Sequence, residues 1–106
     1  MKIWVDDIRP MPEDFSGHFR SVDETIKFLR RAMEDDVIDA IEMMSLDHDA
    51  GDYYDQGGDF IKILDWMVEH GVKIPCYLHT GNPVGRDNMW RLMKRYGIPE
   101  VVYEFD

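Results

Sequence analysis

Short apolar runs along this chain alternate with longer stretches whose apolar residues recur every three or four positions, the two periodicities of strand and helix. Lys2 to Val5 is the first run, read as a buried strand, and it ends abruptly in Asp6-Asp7. Ile8 to Gly17 carries Pro10, Pro12 and Gly17 without a helical period, which predicts a loop, and His18-Phe19-Arg20 predicts a second short strand. Ser21-Val22-Asp23-Glu24 has the form of a capping box, with Ser21 accepting from the Glu24 amide and Glu24 reaching back. The helix it opens places Val22, Ile26, Leu29 and Met33 on one face and Lys27, Arg30 and Arg31 outside, and Glu34-Asp35-Asp36 ends it as a solvated turn.

Ile41 to Leu46 is the next strand and delivers Asp47-His48-Asp49 at its end. Ala50 to Gly58 is polar and reads as a mobile loop beside those acids. From Asp59 to His70, Phe60, Ile61, Leu64, Met67 and Val68 repeat with helical period, and Gly71 terminates the helix. Ile74 to Leu78 is a further strand, followed by His79-Thr80-Gly81-Asn82. Asn82 then acts as N-cap with Pro83 at the first helical position, and Met89, Trp90, Leu92, Met93 and Tyr96 continue a helix that Gly97 and Pro99 stop. Val101-Val102-Tyr103 reads as a last strand. Strands alternating with helices predict parallel βα units, an α/β fold in one domain spanning residues 1–106. Ligands of such sheets bind beyond the carboxyl ends of the strands, and all three polar clusters stand there.

Composition narrows the function. Twenty-two acidic residues against twelve Lys plus Arg give a net charge of −10, which argues against nonspecific nucleic-acid binding, while a small phosphorylated ligand stays compatible with it. The single Cys76 excludes an internal disulfide and a thiolate-rich zinc site, and in its apolar run it is expected to be a small buried hydrophobe. No apolar stretch reaches the length needed to cross a bilayer, so a cytoplasmic protein without membrane partners is expected.

Asp6, Asp7, Asp47 and Asp49 gather several carboxylates at one edge, where they would repel each other and take up protons unless a hard cation such as Mg²⁺ or Mn²⁺ compensates them. At least one of these acids is expected to face solvent and only cap a loop or helix, Asp6 or Asp49 first among them. His48 and His79 flank these acids, where imidazole serves as acid or base near neutral pH, as a metal ligand, or structurally on a backbone carbonyl. His18 and His70 have no such context. Arg86, Asn88 and the helix start at Asn82 suit an anion, with Thr80 and Arg9 as further phosphate contacts, and an exposed ion pair is the plain alternative for both arginines. Asp47 to Asp52 begins like a calcium loop, but Gly51 stands where a ligand belongs and Gly58 where the closing glutamate should be. No GxxxxGK[ST], GxGxxG, nucleophile elbow or H-x-[ST] unit occurs.

These residues resemble the receiver domains of two-component signalling. Asp6-Asp7 resembles their acidic pair, Asp47 or Asp49 their phosphoacceptor, and Thr80 their hydroxyl residue. The chain departs from them where Ile8 to Gly17 replaces the first helix and where no lysine follows the last strand, Lys94 lying within a helix. A closer resemblance, over nearly the whole chain, is to the cyclic-phosphate-processing receiver domains. It is carried by Val5-Asp6-Asp7-Ile8-Arg9-Pro10, by Ser45-Leu46-Asp47-His48-Asp49 with Gly51, and by His79 to Arg86 with Asn88-Met89. The resemblance implies a flavodoxin-like sheet whose acids and histidines act on cyclic or terminal phosphates of a nucleotide or RNA end. In that reading the acids hold the metal, His48, His79 and Asp47 are the catalytic candidates, and Arg86 with the adjacent helix start binds phosphate. An atypical phosphoacceptor in signalling and a non-catalytic nucleotide-binding domain stay open beside it.

Overall fold

In the computed structural model, which describes residues 1–102, the apolar runs form one sheet. Its strands are β1 (Lys2–Val5), β2 (Gly17–Phe19), β3 (Met43–Leu46) and β4 (Cys76–Leu78), all neighbours parallel in the order β2-β1-β3-β4. Parallel neighbours need crossovers rather than tight turns. Three helices follow the last three strands in turn: α1 (Val22–Glu34), α2 (Ile61–His70) and α3 (Pro83–Tyr96). Between β1 and β2 there is no helix, as Pro10 and Pro12 predict.

The two faces of the sheet are covered differently. Ile3, Val5, Met44, Leu46, Cys76 and Leu78 join one apolar cluster with Val22 and Leu29 of α1, Ile63, Leu64 and Met67 of α2, and Met89 and Met93 of α3. The residues between them in sequence turn the other way, because side chains alternate along a strand. There Trp4 and Met43 form a separate cluster with Phe15, Met11, Tyr77 and Val101. All three helices thus serve one face, and the 8–16 loop with the segment near Val101 covers the other. Trp4 meets Phe15 edge to face, with centroids 5.4 Å apart. The receiver-like α/β fold is as expected.

Several boundaries shift, each for a local reason. β2 begins at Gly17 and β3 only at Met43, after a single 3₁₀ turn at Ile38–Ala40. The buried face of α1 is Val22, Thr25, Leu29 and Ala32, while Met33 is exposed. Thr25 enters the core because its hydroxyl donates to the Ser21 carbonyl at 2.8 Å, which removes the cost of burying it. The capping box is half formed: Ser21 Oγ accepts from the Glu24 amide, but Glu24 accepts from the Arg20 amide rather than that of Ser21. The helix ends at Gly71 and Gly97 fall where expected, and Asn82 Oδ1 accepts from the Gly85 amide at 3.0 Å. In place of a full last strand, Glu100 bridges to Cys76 and the Val101 amide donates to the Cys76 carbonyl, while Tyr103 lies outside the described residues. Cys76 is fully buried, which pushes its thiol up to about 12 and leaves it inert as a nucleophile near neutral pH. Among the described residues no helix is long and apolar enough to cross a membrane.

Candidate functional site at the strand ends

Register builds the site. Val5 pairs with Leu46 and Leu46 with Leu78, so the next residues, Asp6, Asp47 and His79, stand in one row. Backbone pairing continues to that row: Asp6 donates to the Phe19 carbonyl, Asp47 to that of Val5 and His79 to that of Leu46. By the strand alternation the row turns to the same side as Trp4 and Ser45.

The inner half of the site is closed. Asp6 is wholly buried, and its Oδ1 accepts from the Ile8 and Arg9 amides, each at 2.8 Å. It caps the loop, as one acid of the pair was expected to do, but it does so from the interior rather than facing solvent. Its Oδ2 lies 2.8 Å from His79 Nε2, and His79 Nδ1 lies 2.7 Å from the buried hydroxyl of Ser45. The His79 ring is stacked on Trp4 at 3.9 Å, and Arg9 donates to the His79 carbonyl at 3.0 Å. Burial pushes Asp6 up, but the two amides and His79 outweigh it and hold the carboxyl below its ordinary value. Burial likewise dominates at His79 and lowers it, against the pull of Asp6. Asp7 is raised, by burial first and then by repulsion from Asp6 and Asp47. Gly51 lies against it: at φ +55 its backbone is left-handed, and a Cβ there would fall 2.2 Å from Asp7 Oδ2.

The outer half is open. His48 Nδ1 pairs with Asp49 Oδ1 at 2.8 Å, while its Nε2 makes no hydrogen bond to a described residue. Asp49 is exposed and held below its ordinary value chiefly by His48, with Asn82 helping. Asn82 Nδ2 donates to that carboxylate at 3.2 Å, so the cap of α3 is tied to the end of β3. Thr80 Oγ1 accepts from the Asn82 amide. Arg86 reaches Glu100 at 3.4 Å, the exposed pair that was its plain alternative. His18 and His70 each bond a backbone carbonyl, of Asp6 and Trp66 respectively, and are structural.

A family model for the cyclic-phosphate processing receiver domain matches residues 1–95. The chain belongs to that family. No curated protein and no solved structure matches it.

In this cyclic-phosphate processing receiver domain the four candidate metal acids do not form one set. Asp6, Asp47 and His79 each offer an atom within 4.8 Å of the others, with Asp7 beside them, whereas Asp49 groups with His48 and Asp59. In the first group Asp6 and His79 already spend their polar atoms on each other and on the protein. Asp7 and Asp47 are only partly buried, so the donor chemistry of a hard-cation site is fitted best by these two carboxylates. Charge and periodicity alone did not single out three residues of the site, although Ser45 and Gly85 stand in the motifs that carry the family resemblance. Ser45 sits in an apolar run, Asp59 binds the Ala50 amide from ten residues beyond the acidic cluster, and Gly85 makes room for an imidazole. A Cβ at Gly85 would lie 2.4 Å from the His48 ring, and besides its place in the resemblance motif the visible sign of this was a glycine inside a helix with no turn to make.

Proposed function

We propose that the domain is a metal-dependent phosphoesterase acting on a cyclic or terminal phosphate of a small nucleotide or an RNA end. The observation that carries this reading is His48. Its side chain is only 14% exposed and lies against Gly85 in the first turn of α3, with one nitrogen fixed by Asp49 and the other without a hydrogen-bond partner among the described residues. A base held in one orientation with a free nitrogen is what proton transfer to or from a reacting oxygen requires.

In hydrolysis of a cyclic phosphate, water adds to phosphorus, one ring P–O bond breaks and the leaving ribose oxygen takes up a proton. His48 moves that proton. Asp7 and Asp47 would hold Mg²⁺ or Mn²⁺, whose chemistry when bound is to polarise a phosphoryl oxygen or acidify water. Thr80, the α3 start at Asn82 and Arg9 are the phosphate contacts, the Arg9 guanidinium lying 3.9 Å from Asp6 Oδ2 at the end of the row. Catalytic roles for His79 and a phosphate role for Arg86 require that each leave the partner it has here. Against a net charge of −10, a small phosphorylated ligand in the cytoplasm would be held by these local donors and the cation rather than by the general surface field. Incubation with Mn²⁺ or Mg²⁺ and a panel of 2′,3′- and 3′,5′-cyclic nucleotides and cyclic-ended RNA is expected to open one class, with chelation abolishing it. Every substrate left intact under both metals would sink the reading.

Phosphoryl acceptance is a second reading, favoured by the partly exposed carboxylate of Asp47 in the centre of the row. It predicts a mass gain of about 80 Da, one phosphoryl group, after acetyl phosphate treatment with Mg²⁺. An unchanged intact mass removes it.

A further inference from the structure

We propose that Ser45 is a positioning residue of this site, whose hydroxyl donates to His79 Nδ1 and so leaves the ring's proton on Nε2 to hold Asp6. Two lines of bonding, starting from opposite ends, lead to the same arrangement. From the carboxylate end, Asp6 Oδ1 accepts two backbone amides and the Arg9 guanidinium stands 3.9 Å from Oδ2, surroundings that favour the ionised acid, so Oδ2 is the acceptor and Nε2 at 2.8 Å the donor. A neutral imidazole with its proton on Nε2 offers only a lone pair at Nδ1. From the other end, Ser45 has no exposed surface, and among the described residues its Oγ has His79 Nδ1 as its hydrogen-bond partner at 2.7 Å. A buried hydroxyl with one partner places its proton there, since an unshared O–H away from water is costly.

The order Ser45, His79, Asp6 has the parts of a hydrolase triad, but the serine, like Asp6, is fully buried. Its hydroxyl is not a nucleophile. It orients the ring on Trp4, the ring orients Asp6, and Asp6 sets the loop carrying Asp7 and Arg9. Both nitrogens of His79 are thereby used inside the protein, which leaves proton transfer to His48. This last step rests on the phosphoesterase reading, whereas the bonding order does not.

Long-range ¹H–¹⁵N spectra of the full chain at neutral pH read the arrangement directly. The wild type is expected to show His79 as a single form, Nε2 protonated and Nδ1 bare. Ser45→Ala should move the Nδ1 resonance downfield as it loses its donor, and Ser45→Thr, which keeps a hydroxyl, should leave it in place. A proton on Nδ1 in the wild type, or an Nδ1 resonance unmoved in Ser45→Ala, overturns the proposal, and the wild-type spectrum decides even if the variants fail to fold. Where turnover is found, Ser45→Ala is expected to lower kcat about 10–100-fold, the usual effect of removing a partner of a site residue, with KM nearly unchanged and Ser45→Thr restoring most of it. Undiminished kcat in Ser45→Ala overturns the positioning role. A wild type that hydrolyses nothing counts against the phosphoesterase and leaves the spectra to judge Ser45.

Discussion

His79 and His48 follow neighbouring strands of one sheet, yet one is built into the protein and the other is presented by it. His79 lies between Trp4, Ser45 and Asp6 with both ring nitrogens engaged. His48 has one nitrogen tied to Asp49 and room for its ring only because residue 85 has no side chain. The acids divide in the same way: Asp6 is buried and accepts three hydrogen bonds, while Asp49 stands in solvent. Identical residue types therefore do different work, decided by how many partners each has and how far water is excluded. The closed half supplies rigidity, and the open half supplies groups that can change partners.

The largest effect that tests this division is Asp6→Ala. It would leave two part-buried amides and a buried imidazole N–H without their acceptor, and at about 1–3 kcal/mol for a buried group left unpaired the three together come to about 3–5 kcal/mol. That is much of a small domain's whole stability, so the urea midpoint should collapse. A loss below about 1 kcal/mol would show that the inner half is not the rigid one. Next comes the contrast between the histidines. His48→Ala should lower turnover by about 10²–10⁴-fold, the usual worth of an acid or base, with Tm nearly unchanged. His79→Ala should instead lose about 1–3 kcal/mol of stability through its broken hydrogen bonds. The reverse pattern, in kinetics and thermal melts of the same samples, would break the comparison.

Gly85→Ala sets two forces against each other. Helix propensity alone favours alanine by about 1 kcal/mol, but the added carbon would fall 2.4 Å from the His48 ring. Steric displacement is expected to win, with activity falling about tenfold, the size of a modest loss of alignment, and no gain in Tm. A more stable and fully active variant would mean the ring moves freely. The smallest effect belongs to Asp7. Its carboxyl is raised, so its ionisation weakens the fold once pH climbs through the folded value. Asp7→Asn should raise Tm at neutral pH by roughly 2–4 °C, corresponding to about half a kcal/mol for a partly solvated charge. That gain should vanish below the ordinary value of 3.8. Asp6 and His79 have the opposite sign. Both are depressed, so their contribution is complete above their ordinary values of 3.8 and 6.5 and is lost as pH falls through the lowered ones. A flat stability profile from neutral pH down to acid would contradict it.

Much of the fold was legible because it is written in short periods. The apolar runs, the caps at Ser21 and Asn82 and the stops at Gly71 and Gly97 each depend on neighbours within a few residues. The gathering of Asp6, Asp47 and His79 was legible too, since strand ends in a parallel sheet share an edge. What escaped depends on contacts across the fold. Thr25 reads as polar until its hydroxyl finds the Ser21 carbonyl, and that misplaces the face of α1. Ser45 stands in a motif of the family resemblance, but its bond to His79 is not legible there because the partner is 34 residues away. The sequence also brings four acids to one edge but does not say which will be saturated. That follows from the turn of residues 6–9, where two backbone amides point back at one oxygen.

Trp4 contributes no charge to the site, yet it is the floor under the His79 ring, the anchor of the Arg9 carbonyl through its indole N–H at 3.1 Å, and the centre of the helix-free face with Phe15. The segment that roofs this side of the sheet and the one that carries Asp7 and Arg9 are the same stretch of chain. Consequently it is not a module to be grafted, shortened or exchanged in isolation. A graft of the three charged motifs onto another sheet would need this indole and its roof as well, or the acids would arrive without the scaffold that distinguishes one from the next.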